Sequence, residues 1–230
     1  MKYIVAAKGH WNLEYYEKYS KKQKGDWYFA SSPEELNMLL EVVNPRYVFF
    51  PHWSWIVPKE IVNQYECICF HMTDLPYGRG GSPLQNLIIQ GKEKTKLTAL
   101  RMEDSLDTGP IYYKKLMSLN GSAEDIYKRA GKLCWDMIGD FVKESPKPES
   151  QKGTVTNFKR RNPEESRIPE GLSLNQVYDY IRMMDAPGYP KAFIEKNEYC
   201  LEFEDAELIN NKLTAKVTFI KKYNHERYNN

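Results

Sequence analysis

Short apolar runs alternate with helix-period patterns through the first two-thirds of the 230-residue chain, and that alternation restricts the fold more than any other feature. Residues 3–7, 27–30, 47–50 and 67–70 are apolar runs of the length expected for buried strands. Between them, Ser32-Pro33-Glu34-Glu35 is a helix start, with a Ser cap and Pro at the first helical position, and Leu36, Leu39 and Leu40 supply its apolar face. Ser82-Pro83 opens another helix, with Gly91 as its stop. Residues 96–102 and 111–116 read as further strands. Ser122 opens the longest helix, in which Ile126, Tyr127, Ala130, Leu133, Cys134, Met137, Ile138 and Phe141 recur at steps of mostly three or four. Strands alternating with helices predict βαβ units and an α/β fold, a doubly wound, mostly parallel, Rossmann-like sheet.

The texture changes after residue 145. Residues 145–153 are polar and proline-bearing, a linker by composition, and residues 160–170 stay polar and charged. Ser173 then caps a helix with Leu174, Val177, Ile181 and Met184 on one face; residues 186–190 form a turn, and strand-like segments follow at 192–194, 199–203 and 213–220. This divides the chain into an α/β domain at 1–150 and a small helix-plus-β-hairpin unit at 151–230.

Composition removes several classes of function. Lys and Arg number 33 against 31 Asp and Glu, a net charge of +2, so no domain-wide basic field argues for general nucleic-acid binding. No apolar run approaches the ~18 residues of a membrane span. The four cysteines are too scattered for a disulfide framework, which points to a cytoplasmic protein with free thiols. Cys67 and Cys69 have no second Cys pair near them, and no metal is expected.

Chemistry concentrates in two stretches. Residues 71–83 run from His71 through three glycines and two prolines, after a strand and before a helix. Open α/β sheets bind ligands outside the carboxyl ends of their strands, where His71 falls. By residue type alone His71 is either structural or catalytic, and the loop either a tight connection or a ligand loop. Residues 101–109 follow the strand at 96–102 and end in Asp107-Thr108-Gly109. They are either a solvated turn or a device that places Asp107 at the same sheet edge as His71, where a carboxylate orients the ring and raises its basicity.

These stretches resemble the folate-dependent formyltransferases, whose Asn-x-His is followed by Leu-Pro, Arg-Gly and a helix-opening Pro. Here the positions read Cys69-Phe70-His71, Leu75-Pro76, Arg79-Gly80 and Pro83, and the family's Leu-Asp-Thr-Gly stands at Leu106-Asp107-Thr108-Gly109. His71 and Asp107 are 36 positions apart, as in the family. Ile56-Val57-Pro58 is similar to the family's Ile-Leu-Pro. The stretches around Arg160-Arg161-Asn162-Pro163 and Pro187-Gly188-Tyr189-Pro190 resemble the nucleotide-sugar branch, most of all the formyltransferases of pseudaminic-acid pathways, which act on a UDP-linked 4-amino-4,6-dideoxy sugar. The methionyl-tRNA branch carries a longer C-terminal barrel.

The resemblance implies a formyltransferase fold and transfer of a formyl group from N10-formyltetrahydrofolate, as co-substrate, to the primary amine of a nucleotide-linked amino sugar. His71 would be the base or the oxyanion partner, with Asp107 orienting it. Cys69 takes the place of the family Asn, on the same strand face as His71. A thiol is a weak donor, and loss of one oxyanion donor costs ~10²–10³ in rate. The folate would lie between the loops 50–58 and 103–107, against Trp53, Trp55, Ile56, Glu103, Asp104, Leu106 and Asp107. Lys8, His10, Arg79, Gly80, Arg160, Arg161, Arg182 and Tyr189 would hold the nucleotide sugar. A homodimer through the C-terminal unit is expected, with neither nucleic acid nor membrane as partner. The alternatives are another amine, such as glycinamide ribonucleotide or a peptide-synthetase substrate, and a non-catalytic relative that only binds folate or nucleotide.

Overall fold

The computed structural model describes residues 1–222. In chain order the elements are β1 (Lys2–Ala7), α1 (His10–Tyr19), β2 (Asp26–Ala30), α2 (Pro33–Val42), β3 (Tyr47–His52), α3 (Lys59–Gln64), β4 (Cys67–His71), β5 (Arg79–Gly80), α4 (Pro83–Ile89), β6 (Lys94–Arg101), β7 (Ile111–Ser118), α5 (Ala123–Glu144), β8 (Asn157–Phe158), α6 (Leu174–Arg182), β9 (Ala192–Lys196), β10 (Tyr199–Ile209) and β11 (Lys212–Lys221). The central sheet runs β2-β1-β3-β4-β6-β7, parallel from β2 to β4 and antiparallel from β4 to β7. It is the α/β, mostly parallel arrangement that the sequence pattern predicts.

Burial of both sheet faces explains the continuous apolar runs. Val5, Phe49 and Phe70 face the layer of α1, α4 and α5, while Ile4, Ala6, Val48, Phe50 and Cys67 face α2 and α3. The helix starts follow the capping residues. Ser32 accepts the Glu35 N–H, and Ser122 with Asp125 and Ser173 with Gln176 form reciprocal capping boxes, each cap worth ~1 kcal/mol.

Two helices lie where no helix is expected from the sequence. The buried side of α1 is aromatic rather than aliphatic, Tyr16 and Tyr19 packing on Trp135 of α5 at centroid distances of 6.3 and 6.0 Å. The short α3 buries no residue fully.

Two further features differ from the sequence reading, and both shape the site. The stretch around residues 145–153 is not a free linker. Glu149 makes a paired antiparallel bridge to Ile111 (2.7 and 2.8 Å), Thr156 bonds to Gly78, Arg79 and Pro76, and β8 pairs with β5, so residues 149–161 strap back across the α/β domain. And β6 runs antiparallel to β4, with Arg101 beside Ile68. Its carboxyl end therefore lies away from His71, and Asp107 reaches His71 because the connection from β6 to β7 folds back, not because two strand ends are neighbours.

The C-terminal unit is α6 against the antiparallel sheet β11-β10-β9. It joins the α/β domain through Gln85 Nε2, which donates to the Met183 carbonyl (3.1 Å), and the Glu124 N–H, which donates to the Asp185 carbonyl (3.0 Å). Among the described residues no helix is long and apolar enough to cross a membrane.

Candidate active site

β4 places Cys67, Cys69 and His71 on one face. His71 is 7% exposed and Asp107 9%, so the two form a nearly buried pair. His71 Nε2 lies 2.8 Å from the Gly78 carbonyl oxygen, and Nδ1 lies 3.5 Å from Asp107 Oδ2. A carbonyl oxygen only accepts, so Nε2 carries a proton, and in a neutral ring the Nδ1 lone pair then points at the carboxylate. A proton added at Nδ1 would be shared with Oδ2 across that gap. Asp107 Oδ2 also accepts the Gly80 N–H at 2.9 Å.

Two glycines of the motifs allow this. Gly80 has φ +104 and lies so close to the Phe158 carbonyl of the strap that no Cβ fits; a Cβ on Gly109 would collide with the Arg101 carbonyl. The glycines therefore bring backbone against backbone around Asp107, which itself sits at φ +56.

Burial, and next the Asp107 carboxylate, push the Cys69 thiol far above its usual range. Cys69 stays S–H at neutral pH, and a thiol, unlike a thiolate, is a poor nucleophile.

The loops expected to hold a flat ring are adjacent, tied by Lys59 Nζ to Asp104 Oδ2 at 3.0 Å. Trp53 packs on Phe50 and stands edge-on to Trp55 at 4.8 Å. Ile56 is 86% exposed and Leu106 61%. Glu103 pairs with Arg101 at 3.2 Å. Next to this loop, Glu66, Arg101, Glu103, Asp104, Ser105 and Thr108 line a polar cleft of about 660 Å³.

A second cleft, of about 610 Å³, lies between the end of β1 and the C-terminal unit. It gathers Lys8, His10, Arg160, Arg161 and Tyr189, five of the residues assigned to the nucleotide sugar. The other three, Arg79, Gly80 and Arg182, do not line it. Arg182 is a structural clamp, donating to the Leu119 and Gly121 carbonyls and paired with Asp179 at 2.6 Å. Arg79 grips Gln151 Oε1 from Nε and Nη2 at 3.2 and 2.8 Å. Gly80 spends its N–H on Asp107.

The cleft also contains His52 and Gln85, which the sequence reading passed over. His52 ends β3 as His71 ends β4, so the strand-end rule applied to every strand would have found it. Burial, and secondarily Lys8, push the His52 imidazole down to about 4. Its Nε2 faces the Tyr189 hydroxyl at 3.5 Å, and Tyr189 stacks on Tyr127 with centroids 5.2 Å apart. Among the described residues no cluster of three or more His, Cys, Asp or Glu side chains could hold a metal.

An α/β sheet with a buried His–Asp pair, fixed by a glycine loop and a Leu-Asp-Thr-Gly turn, defines a class that the comparisons identify. The model of the family "Formyl transferase" matches residues 16–133, and that described as "Methionyl-tRNA formyltransferase, C-terminal domain" matches residues 163–220. The chain belongs to the formyltransferase family, whose formyl donor is N10-formyltetrahydrofolate. A solved structure of a methionyl-tRNA formyltransferase from Clostridium thermocellum is 44% identical, covers 96% of this chain and 100% of its own, and has a TM-score of 0.93. The methionyl-tRNA formyltransferase of Rickettsia africae is 28% identical over 77% of this chain and 60% of its own, so the chain spans about 60% of the length of that curated relative. A sugar N-formyltransferase from Shewanella shares the fold at 14% identity, with a TM-score of 0.66 and 96% and 97% coverage. Relatives named for a tRNA count against the expectation that no nucleic acid is a partner.

Proposed function

We propose that this protein transfers a formyl group from N10-formyltetrahydrofolate to a primary amine. The observation that carries the reading is the buried His71–Asp107 pair, with Nδ1 3.5 Å from Oδ2. Trp55, Ile56 and Leu106 are apolar surface that a flat pterin ring would cover, and the exposed main chain of residues 103–106 offers groups to its edge. The folate supplies the formyl carbon. The chain supplies the rest: an amine must shed a proton as it attacks, and the His71–Asp107 pair receives and returns one. Gly78 and Gly80 hold that pair in register through a carbonyl and an N–H. Cys69 acts at most as a weak hydrogen-bond donor.

For the amine, the geometry favours a compact nucleotide-linked amino sugar, such as a UDP-linked 4-amino-4,6-dideoxy sugar. The cleft of about 610 Å³ falls in the size range of small-molecule pockets, and Lys8, Arg160 and Arg161 give it the cations a diphosphate needs. The net charge of +2 gives the chain no overall basic field toward a tRNA body. The second reading is methionyl-tRNA, favoured by the printed names of the Clostridium and Rickettsia relatives. In either case the reaction belongs to the cytoplasm. A homodimer through the C-terminal sheet is proposed as well, because Val217, Phe219 and Ile220 of β11 are exposed apolar side chains.

The test is incubation with formyl-folate and a panel of amines: UDP- and dTDP-linked 4-amino sugars, methionyl-tRNA and glycinamide ribonucleotide. Mass spectrometry reads formylation. A nucleotide sugar as best acceptor supports the first reading, and methionyl-tRNA as best acceptor replaces it with the second. Folate binding without formylation of any amine would leave only a binding protein.

A further inference from the structure

Gln151 lies outside both sequence motifs, on the strap, yet it bonds to both. The Ile111–Glu149 bridge delivers it to the turn before β7. Its Nε2 donates to the Asp107 and Gly109 carbonyls, each at 2.8 Å, and its Oε1 accepts from Arg79 Nη2 and Nε at 2.8 and 3.2 Å. One amide orientation satisfies this set, because Arg79 only donates and the carbonyls only accept. Both amide hydrogens and the oxygen are spent.

We propose that Gln151 is the positioning residue for Asp107, and that Arg79 acts through Gln151 rather than on the substrate. The proposal rests on the reading of His71 and Asp107 as the reacting pair. Asp107 occupies φ +56, a conformation that a residue other than glycine keeps only where its surroundings impose it. Two grips impose it here. Gln151 holds the main chain on either side of Thr108, and the Gly80 N–H holds the carboxylate. Both come from the region where the strap meets the glycine loop, so the strap registers one motif against the other. The chemistry of the amide is specific. Glu would turn two oxygens toward two carbonyl oxygens, Leu would fill the space with no donor, and Asn is a methylene too short to span the same partners.

The experiment compares wild type with Gln151→Leu, Gln151→Glu, Arg79→Leu and the Gln151→Leu/Arg79→Leu double variant in the full chain. Three quantities are read: melting temperature, amide hydrogen exchange of the peptide covering residues 103–110, and kcat against KM for formyl transfer to the best acceptor. Gln151→Leu is expected to speed exchange of that peptide by roughly fivefold to hundredfold, the range that two neutral hydrogen bonds supply. Its kcat falls by a similar factor, with KM within about threefold, because the loss is in alignment rather than binding. Gln151→Glu, which keeps the volume and the Arg79 partner, is the second variant should the Leu protein fold poorly, and it shows the same exchange. The double variant is no worse than the worse single one, since the two side chains act as a unit. Unchanged loop exchange in both Gln151 variants, or additive losses in the double variant, overturns the proposal. If wild type formylates no amine at all, the reading of the site fails, while loop exchange still decides the role of Gln151.

Discussion

Gly80→Ala isolates the step from backbone geometry to chemistry. At φ +104 an added Cβ meets two penalties: the left-handed conformation, and collision with the Phe158 carbonyl, which cannot yield like a side-chain end. Backbone strain of this kind costs ~1–3 kcal/mol, or a drop of roughly 2–10 °C in melting temperature for a chain of this size. Relief requires β5 and β8 to part, and that movement withdraws the Gly80 N–H from Asp107 Oδ2, now at 2.9 Å. A hydrogen bond to a charged group contributes ~1.5–3 kcal/mol, so turnover should fall about 10- to 150-fold. Gly91→Ala is the control. Gly91 has φ +68 with no heavy atom within 4 Å of the added Cβ, so it carries backbone strain alone. The assay is the initial rate of formyl transfer beside the melting curve of each variant. A Gly80→Ala protein that loses stability like Gly91→Ala but keeps its rate within threefold would refute the claim that this N–H aligns Asp107.

The other predictions concern single side chains. His71→Ala and Asp107→Asn should each lose most turnover with melting temperatures within a few degrees of wild type; near wild-type rates in Asp107→Asn would dissolve the proposed pair. Cys69→Ser should keep activity within roughly an order of magnitude, since a hydroxyl donates at least as well as a thiol, and a formyl adduct trapped on Cys69 would contradict a protonated thiol. His52, neutral when folded with its value lowered to about 4, takes up a proton more readily when unfolded, so its burial costs stability as pH falls from about 6.5 to 4. His52→Gln should therefore lose less melting temperature than wild type across that window, and parallel curves would exclude the effect. Truncation after Glu170 should abolish dimers, and a full-length monomer by light scattering at micromolar concentration would remove the dimer proposal.

Legibility of this protein in its sequence followed how local the physics is. Strands buried on both faces must be apolar throughout, so β1, β3 and β4 stood out as runs, and Ser32, Ser122 and Ser173 marked helix starts by bonds that span three residues. The fold class was likewise readable, from the alternation, and short motifs drew attention to His71 and Asp107, which the structure places 3.5 Å apart. The aromatic face of α1 hid its period, and His52 lacked a motif around it.

What the sequence by itself determined was the set of elements, the caps that start them and the residue types able to move a proton. What only the tertiary structure decided was their assembly. The antiparallel course of β6 makes Asp107 return to His71 through a folded-back loop, and the polar stretch after residue 145 becomes the strap that brings Gln151 to that loop. The fold also gives the Arg79 and Arg182 guanidinium groups partners within the chain, outside the second cleft. These side-chain contacts join positions 36 to 72 residues apart, and no local pattern encodes them. Which strand lies beside which, and in which direction, is settled by packing of the whole sheet, so the partners of a long side chain become known only with the fold.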